Sequence, residues 1–408
     1  MAVAARVRAP GLDRLSLGLL AGGHFSVDLC QGCVPVLLPF FVRDRHLSYA
    51  AAAGLVLAQT ISSSVLQPLF GELTDRRPAA WLMPAGVAVA GAGVGAAALL
   101  PTYGWIWLAI AISGVGVAAY HPEGARYASY ASGDRRATGM SIFSVGGNAG
   151  FAAGPVLATP LLLLLGLRGG WAMALVPLAV ALALALNLHR FDASRDARGR
   201  AAAAAAIGTG ENRWGAFGRL TGVLLSRSVL FYGLNTFIPL YWIGVLGSSP
   251  AGGGAALATL LIVGAAGTLL GGRLADRFSR RSVVIAAVVS TVPLLGLLVA
   301  MPAPVPANLA LVPLALAMYV PTPILVVLGQ EYLPGRVGTA SGVTLGLAVS
   351  VGGVVTPALG FVADHEGLRT ALALLLVVPI LASALALTLP ASDPVRRAPE
   401  SGPAARAP

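Results

Sequence analysis

Gly272-Arg-Leu-Ala-Asp276-Arg277-Phe-Ser-Arg280-Arg281 joins two long apolar runs, and Gly71-Glu-Leu-Thr-Asp75-Arg76-Arg77 joins two others. Glycine, aspartate and arginine recur in these stretches at one separation, 272 − 71 = 201. The same separation carries Pro122 to Pro323, Arg135 to Arg336, and Gly166-Leu167-Arg168 to Gly367-Leu368-Arg369. A register kept over so much of the chain is the mark of an internal duplication.

Of the 408 residues, 57% are apolar and 11% charged. Soluble domains carry roughly a quarter charged residues, so a water-soluble enzyme is excluded. Most of the 51 glycines and 28 prolines sit inside apolar runs, as they do in membrane helices. Runs fall at 15–42, 48–71, 79–99, 104–128, 138–165 and 170–189, then at 218–246, 254–272, 282–300, 307–329, 337–362 and 368–390. A crossing needs about 20 apolar residues. Helices are required because hydrocarbon offers the backbone no hydrogen-bond partner, and the runs are too uniformly apolar for barrel strands. The expected fold is an all-α membrane protein of twelve transmembrane helices. Six in each half give both copies one orientation, hence two six-helix bundles related by a pseudo-two-fold axis along the membrane normal.

All 27 basic residues are arginines, and the net charge is +11. Their distribution argues for topology and against nucleic acid. With the N-terminus cytoplasmic, one side collects twenty-two, while Arg43, Arg45, Arg168 and Arg369 fall on the other and Arg227 lies within the seventh run. That bias predicts both termini inside the cell and a multi-pass protein of the cell membrane. The expected division is 1–190 for the first bundle, 191–217 for a cytoplasmic linker, 218–391 for the second bundle and 392–408 for a disordered tail. Arg6, Arg8 and Arg14 precede the first run without a small-residue cleavage site, so that run is expected to stay as a span. Cys30 and Cys33 lie in it and read as small hydrophobes.

The two loop stretches resemble the loop signature of the major facilitator superfamily, between spans two and three and between eight and nine. The resemblance implies that Gly71, Asp75, Arg76, Gly272, Asp276, Arg277 and Arg281 latch one conformation and do not bind substrate. Within that superfamily the first half resembles the fosmidomycin resistance efflux family. The stretches are His24-Phe-Ser-Val-Asp28, Leu66-Gln-Pro-Leu69, Thr74-Asp-Arg-Arg-Pro78, His121-Pro-Glu123 with Arg126, and Ser141-Ile-Phe-Ser-Val-Gly-Gly-Asn148, covering about residues 22–155. This implies a proton-driven exporter of drugs such as a phosphonate antibiotic. Gly150-Phe-Ala-Ala-Gly154-Pro155 resembles the core of the superfamily's antiporter signature, implying close helix packing and a bend on which the halves rock.

Ionisable groups at membrane depth are functional candidates by default. His24 and Asp28 are four apart on the first span and share a face; His121 and Glu123 flank Pro122 on the fourth. Carboxylates and imidazoles at such depth suit proton binding and release, with Asp28 the leading carboxylate, Glu123 second and His24 the hydrogen-bond partner of Asp28. A metal site needs His24, Asp28, His121 and Glu123 to converge; none is expected, and no cofactor. Arg227 is the fixed positive charge suited to an anionic or electron-rich substrate, with snorkelling to the surface as its rival role. Arg126, Asn148, Tyr232, Asn235 and Gln330 are further polar candidates for the substrate site. The expected function is a proton-coupled antiporter exporting a small organic compound by alternating access, working as a monomer in the lipid bilayer. The alternative is a proton-coupled uptake symporter for a small organic anion or sugar-like metabolite. An enzyme lacks support because neither a Ser/His/Asp signature nor HExxH occurs, and a channel has no need of duplicated latch loops.

Overall fold

In a computed structural model, the structure describes residues 12–76, 79–133, 135–191, 211–336, 340, 343–344 and 348–390. Most of the linker and all of the 392–408 tail lie outside the described residues. Within them the chain is helical, with no strand. The first half contains α1 (Arg14–Arg45), α2 (Tyr49–Arg76), α3 (Leu82–Ala97), α4 (Tyr103–Ala131), α5 (Arg136–Leu165) and, after a 3-10 stretch Leu167–Ala174, α6 (Leu175–Leu186). The second contains α7 (Trp214–Gly244), α8 (Pro250–Arg277), α9 (Arg280–Ala300), α10 (Pro304–Tyr319), α11 (Thr322–Tyr332), α12 (Ala348–Glu366), α13 (Leu368–Leu374) and α14 (Val377–Leu387).

Among the described residues, ten segments are long and apolar enough to cross a membrane, with α10 and α11 counting as one and α13 and α14 as another. The 16-residue α3 is a shorter apolar helix, and α12 has 19 residues. The tenth run, expected as one helix, breaks at Val320-Pro321. Pro321 and Pro323 remove two backbone donors there, so the turn cannot close its hydrogen bonds. Segment α1 starts at a capped end: Asp13 accepts from the Ser16 backbone N–H at 3.1 Å and its hydroxyl at 2.7 Å. Burial pushes the Asp13 carboxyl up, but these bonds and Arg190 outweigh it and hold the group below the ordinary carboxylate range.

Burial sorts the helices into centre and rim. In the most apolar windows of α1 and α7, 72% of residues are buried, against 33% for Leu167–Leu186 and for Leu368–Leu387. The rim exposes Leu164, Leu186, Val305 and Leu309; in water such a surface would aggregate, and in a bilayer it meets lipid. Cys30 and Cys33 are free, buried thiols in the core.

The halves meet through α2 against α12, α5 against α8 and α1 against α7. At the end remote from the termini, the Asp364 carboxylate of α12 accepts from the backbone N–H of Tyr49 (2.7 Å) and Ala50 (2.9 Å) at the start of α2. Gly360 lies so close to this turn that a Cβ on it would stand 2.6 Å from the Cα of Ala50. Nearer mid-helix, a Cβ on Gly353 would stand 2.6 Å from Thr60. Toward the termini, Val65, Leu69 and Leu73 of α2 and Val145 of α5 are exposed. These contacts between the halves therefore run from mid-membrane to the far end, where they close it.

Candidate functional site

His24 and Asp28 project from one face of α1, one turn apart, and His121 reaches them from α4, at the residue before Pro122. The His24 Nε2 lies 3.3 Å from Asp28 Oδ2, and the His121 Nε2 lies 3.4 Å from Asp28 Oδ1. Gln31, three residues on along α1, donates to the same Oδ1 at 3.1 Å. The remaining ring nitrogens are held by backbone: His24 Nδ1 to the Phe143 carbonyl of α5 at 2.8 Å, and His121 Nδ1 to the Val117 carbonyl at 2.9 Å. The Phe143 ring stacks on His24 at a centroid distance of 4.2 Å, and the Tyr120 hydroxyl donates to the Leu20 carbonyl beside it. All three ionisable groups are thus fixed within the first half, by α1, α4 and α5.

Glycine makes this approach possible. A Cβ on Gly147 of α5 would stand 2.5 Å from the His24 Nε2 and 2.6 Å from the Asp28 Oδ2. On the same seam, Gly150 faces the backbone of Phe25, and Gly154 faces Gly32. The antiporter-like glycines therefore seal α5 to α1 of their own half; the surface of α5 that meets α8 is a different one. Pro155 lies within α5.

Glu123 belongs elsewhere. Its side chain accepts from the Ala79 backbone N–H at 2.8 Å and lies 3.5 Å from Arg126, which donates to the Thr74 carbonyl at 2.6 Å. Both residues brace the α2–α3 connection. The convergence of four potential metal ligands is not met: His24, Asp28 and His121 present atoms within 4.8 Å of one another, without Glu123.

In the second half Arg227 of α7 turns inward, bonded at the helix break. Its Nε donates to the Met318 carbonyl at 3.1 Å, its Nη2 to the Thr322 hydroxyl at 2.6 Å, and its guanidinium lies 5.8 Å from the Tyr319 ring centre. No carboxylate lies within 4 Å of it among the described residues. Thr322 stands one residue before Pro323, as His121 stands before Pro122, so the duplicated position takes up an acid in one half and a base in the other. Tyr232 is buried in α7. Asn235 is buried in α7, Gln330 is half-buried in α11 and Asn148 is exposed on α5.

Of the latch residues, the side chains of Asp75, Arg76 and Asp276 lie outside the described residues. Gly71 rests against Pro122, Gly272 has open space around it, and Arg277 is exposed. Arg281 donates to the carbonyls of Leu389 (2.5 Å) and Leu387 (2.9 Å), while Arg280 pairs with Glu331. The sequence reading missed Asp364, Gln31, Thr322 and the carbonyls of Phe143 and Val117. Two of these had a signal: Gln31, one turn beyond Asp28, and Thr322, which the 201-residue register pairs with His121.

Residues 20–357 match the family model of the Major Facilitator Superfamily. The chain is 30% identical over 403 residues to the uncharacterized MFS-type transporter YfnC of Bacillus subtilis, covering 96% of each. It is 27% identical over 368 residues to the fosmidomycin resistance protein of Escherichia coli, covering 90% of each. In fold it is similar to a bacterial homolog of the human lysosomal transporter Spinster in an inward-facing, occupied conformation, with TM-score 0.75 and 17% identity over 93% of this chain and 97% of that one. It is also similar to a D-xylose–proton symporter, with TM-score 0.67 and 17% identity over 93% and 97%. With its apolar helices, its paired halves and a family match over most of its length, the chain is a multi-pass membrane transporter, not an enzyme, and belongs to the Major Facilitator Superfamily.

Proposed function

We propose that this transporter is a proton-coupled antiporter that exports a small organic compound by alternating access. The observation that carries the reading is the triad of His24, Asp28 and His121, proton-binding groups held at membrane depth beside the contact between the halves. The arginine bias supports a cell-membrane location with both termini cytoplasmic; on that orientation the conformation described above opens to the cytoplasm. Family practice supports a monomer built from two bundles, with the duplicated loops acting as latches. The similarity to a fosmidomycin resistance protein supports a drug or other foreign compound as cargo.

Expression in a drug-sensitive host, followed by a susceptibility panel that includes fosmidomycin, tests the reading. Compounds that become less toxic are then followed into inverted vesicles with an imposed pH difference. Uptake that ignores the gradient overturns proton coupling; accumulation with the opposite proton direction makes the protein a symporter.

Arg227 is the proposed contact for an anionic part of the cargo. A guanidinium carries five N–H donors, and the bonds to Met318 and Thr322 leave three without an acceptor among the described residues. For an anionic cargo, Arg227→Gln should raise the apparent KM by about tenfold or more, the scale of one lost charge-assisted contact. An unchanged KM removes Arg227 from the substrate site.

A further inference from the structure

We infer that the His24–Asp28–His121 triad is a two-proton site. The inference rests on the proton-coupled reading above and follows from counting donors. A carbonyl oxygen only accepts, so the Nδ1 atoms of His24 and His121, at 2.8 and 2.9 Å from carbonyls, both carry hydrogen. A neutral imidazole protonated at Nδ1 has a bare lone pair at Nε2. Both Nε2 atoms lie beside Asp28, each next to a different oxygen, at 3.3 and 3.4 Å. A carboxylate oxygen has no hydrogen to offer, so with neutral rings both contacts would set acceptor against acceptor. One proton in each contact turns both into charge-assisted hydrogen bonds.

The balance is simple. An ionised Asp28 with two neutral imidazoles carries a net charge of −1. Two protons from water on the open side enter the two Nε2 lone pairs and give a net charge of +1, with His24 donating to Oδ2 and His121 to Oδ1. The surroundings do not supply these charges. Gln31 is neutral; Cys30 lies two residues along α1; Tyr120 of α4 donates to the Leu20 carbonyl; Tyr232 of α7 is a buried phenol; and α5 presents Phe143 and Gly147. Arg126 and Arg227 are engaged with Thr74 and with Met318 and Thr322. Because all three groups belong to the first half, rocking of the halves carries the loaded triad intact and changes only the side from which water reaches it.

The full-length protein labelled with 15N-histidine, in bilayers, tests this by solid-state NMR, with His24→Gln and His121→Gln assigning the two rings. At the acid end both rings should carry hydrogen on both nitrogens, and at the alkaline end both should lose only the Nε2 hydrogen. In Asp28→Asn the two rings, with centroids 5.0 Å apart, have no anion between them, so at no pH should both be doubly protonated. Helical circular dichroism and monodisperse elution report whether each variant is folded. The inference is overturned if one ring keeps a bare Nε2 at every pH, if either neutral ring carries its hydrogen on Nε2, or if both are doubly protonated in Asp28→Asn. The titration needs no transported compound. Its failure leaves a one-proton exporter standing, whereas failure of the exporter reading appears only in the vesicle assay.

Discussion

Asp28→Asn is expected to bring the accumulation ratio of an exported compound in pH-gradient-driven vesicles down to about one, while downhill exchange continues. The triad cannot keep two imidazoliums together without the carboxylate between them, and the amide cannot cycle through a charged form. The size of the loss follows from the drive. Each pH unit supplies about 1.4 kcal/mol per proton, so one unit sustains about tenfold accumulation of a neutral compound with one proton and about a hundredfold with two. The measurement is the steady-state ratio of labelled compound across the vesicle membrane at a fixed gradient. Wild-type-like accumulation by the asparagine variant would take Asp28 out of the coupling mechanism altogether.

Asp364→Ala should loosen the closed end. Its carboxylate bridges the halves by accepting two backbone N–H groups at the first turn of α2, where the helix dipole favours negative charge. Losing that clasp should shift the conformational equilibrium by about 1–2 kcal/mol, a five- to thirty-fold gain for the state open at the far side. Spin labels at the exposed positions His46 and Glu366, with Cys30 and Cys33 replaced, read the separation of the two halves there. The variant should show a larger population of long distances than the parent. Identical distance distributions would make the clasp an incidental cap.

Much of this architecture was legible in the chain because its signals are local or periodic. Apolar runs mark crossings, and spacing by four puts His24 and Asp28 on one face. Spacing also held an answer for the second carboxylate. His121 and Glu123 are two apart, so they point to different sides of α4, and only His121 meets Asp28. What stayed hidden was tertiary. Thr322 is an ordinary threonine until the break after Tyr319 brings it against Arg227. Asp364 reads as one more charge at a helix end until α2 docks beside it. The carbonyls that fix the two imidazoles carry no sequence signal, since every residue has one. The break itself was within reach, because Pro321 and Pro323 lie two apart inside a run drawn as a single helix.

The seam between α1 and α5 has a last consequence. The positions of a carboxylate and two imidazoles are set there by what is absent: at Gly147, Gly150 and Gly154 a single methyl group would collide with the first helix or with the ionisable side chains themselves. The tolerance of the proton chemistry is therefore written in residues that have no side chain. An inventory of reactive groups alone would overlook the atoms, or the lack of them, that hold those groups within reach of one another.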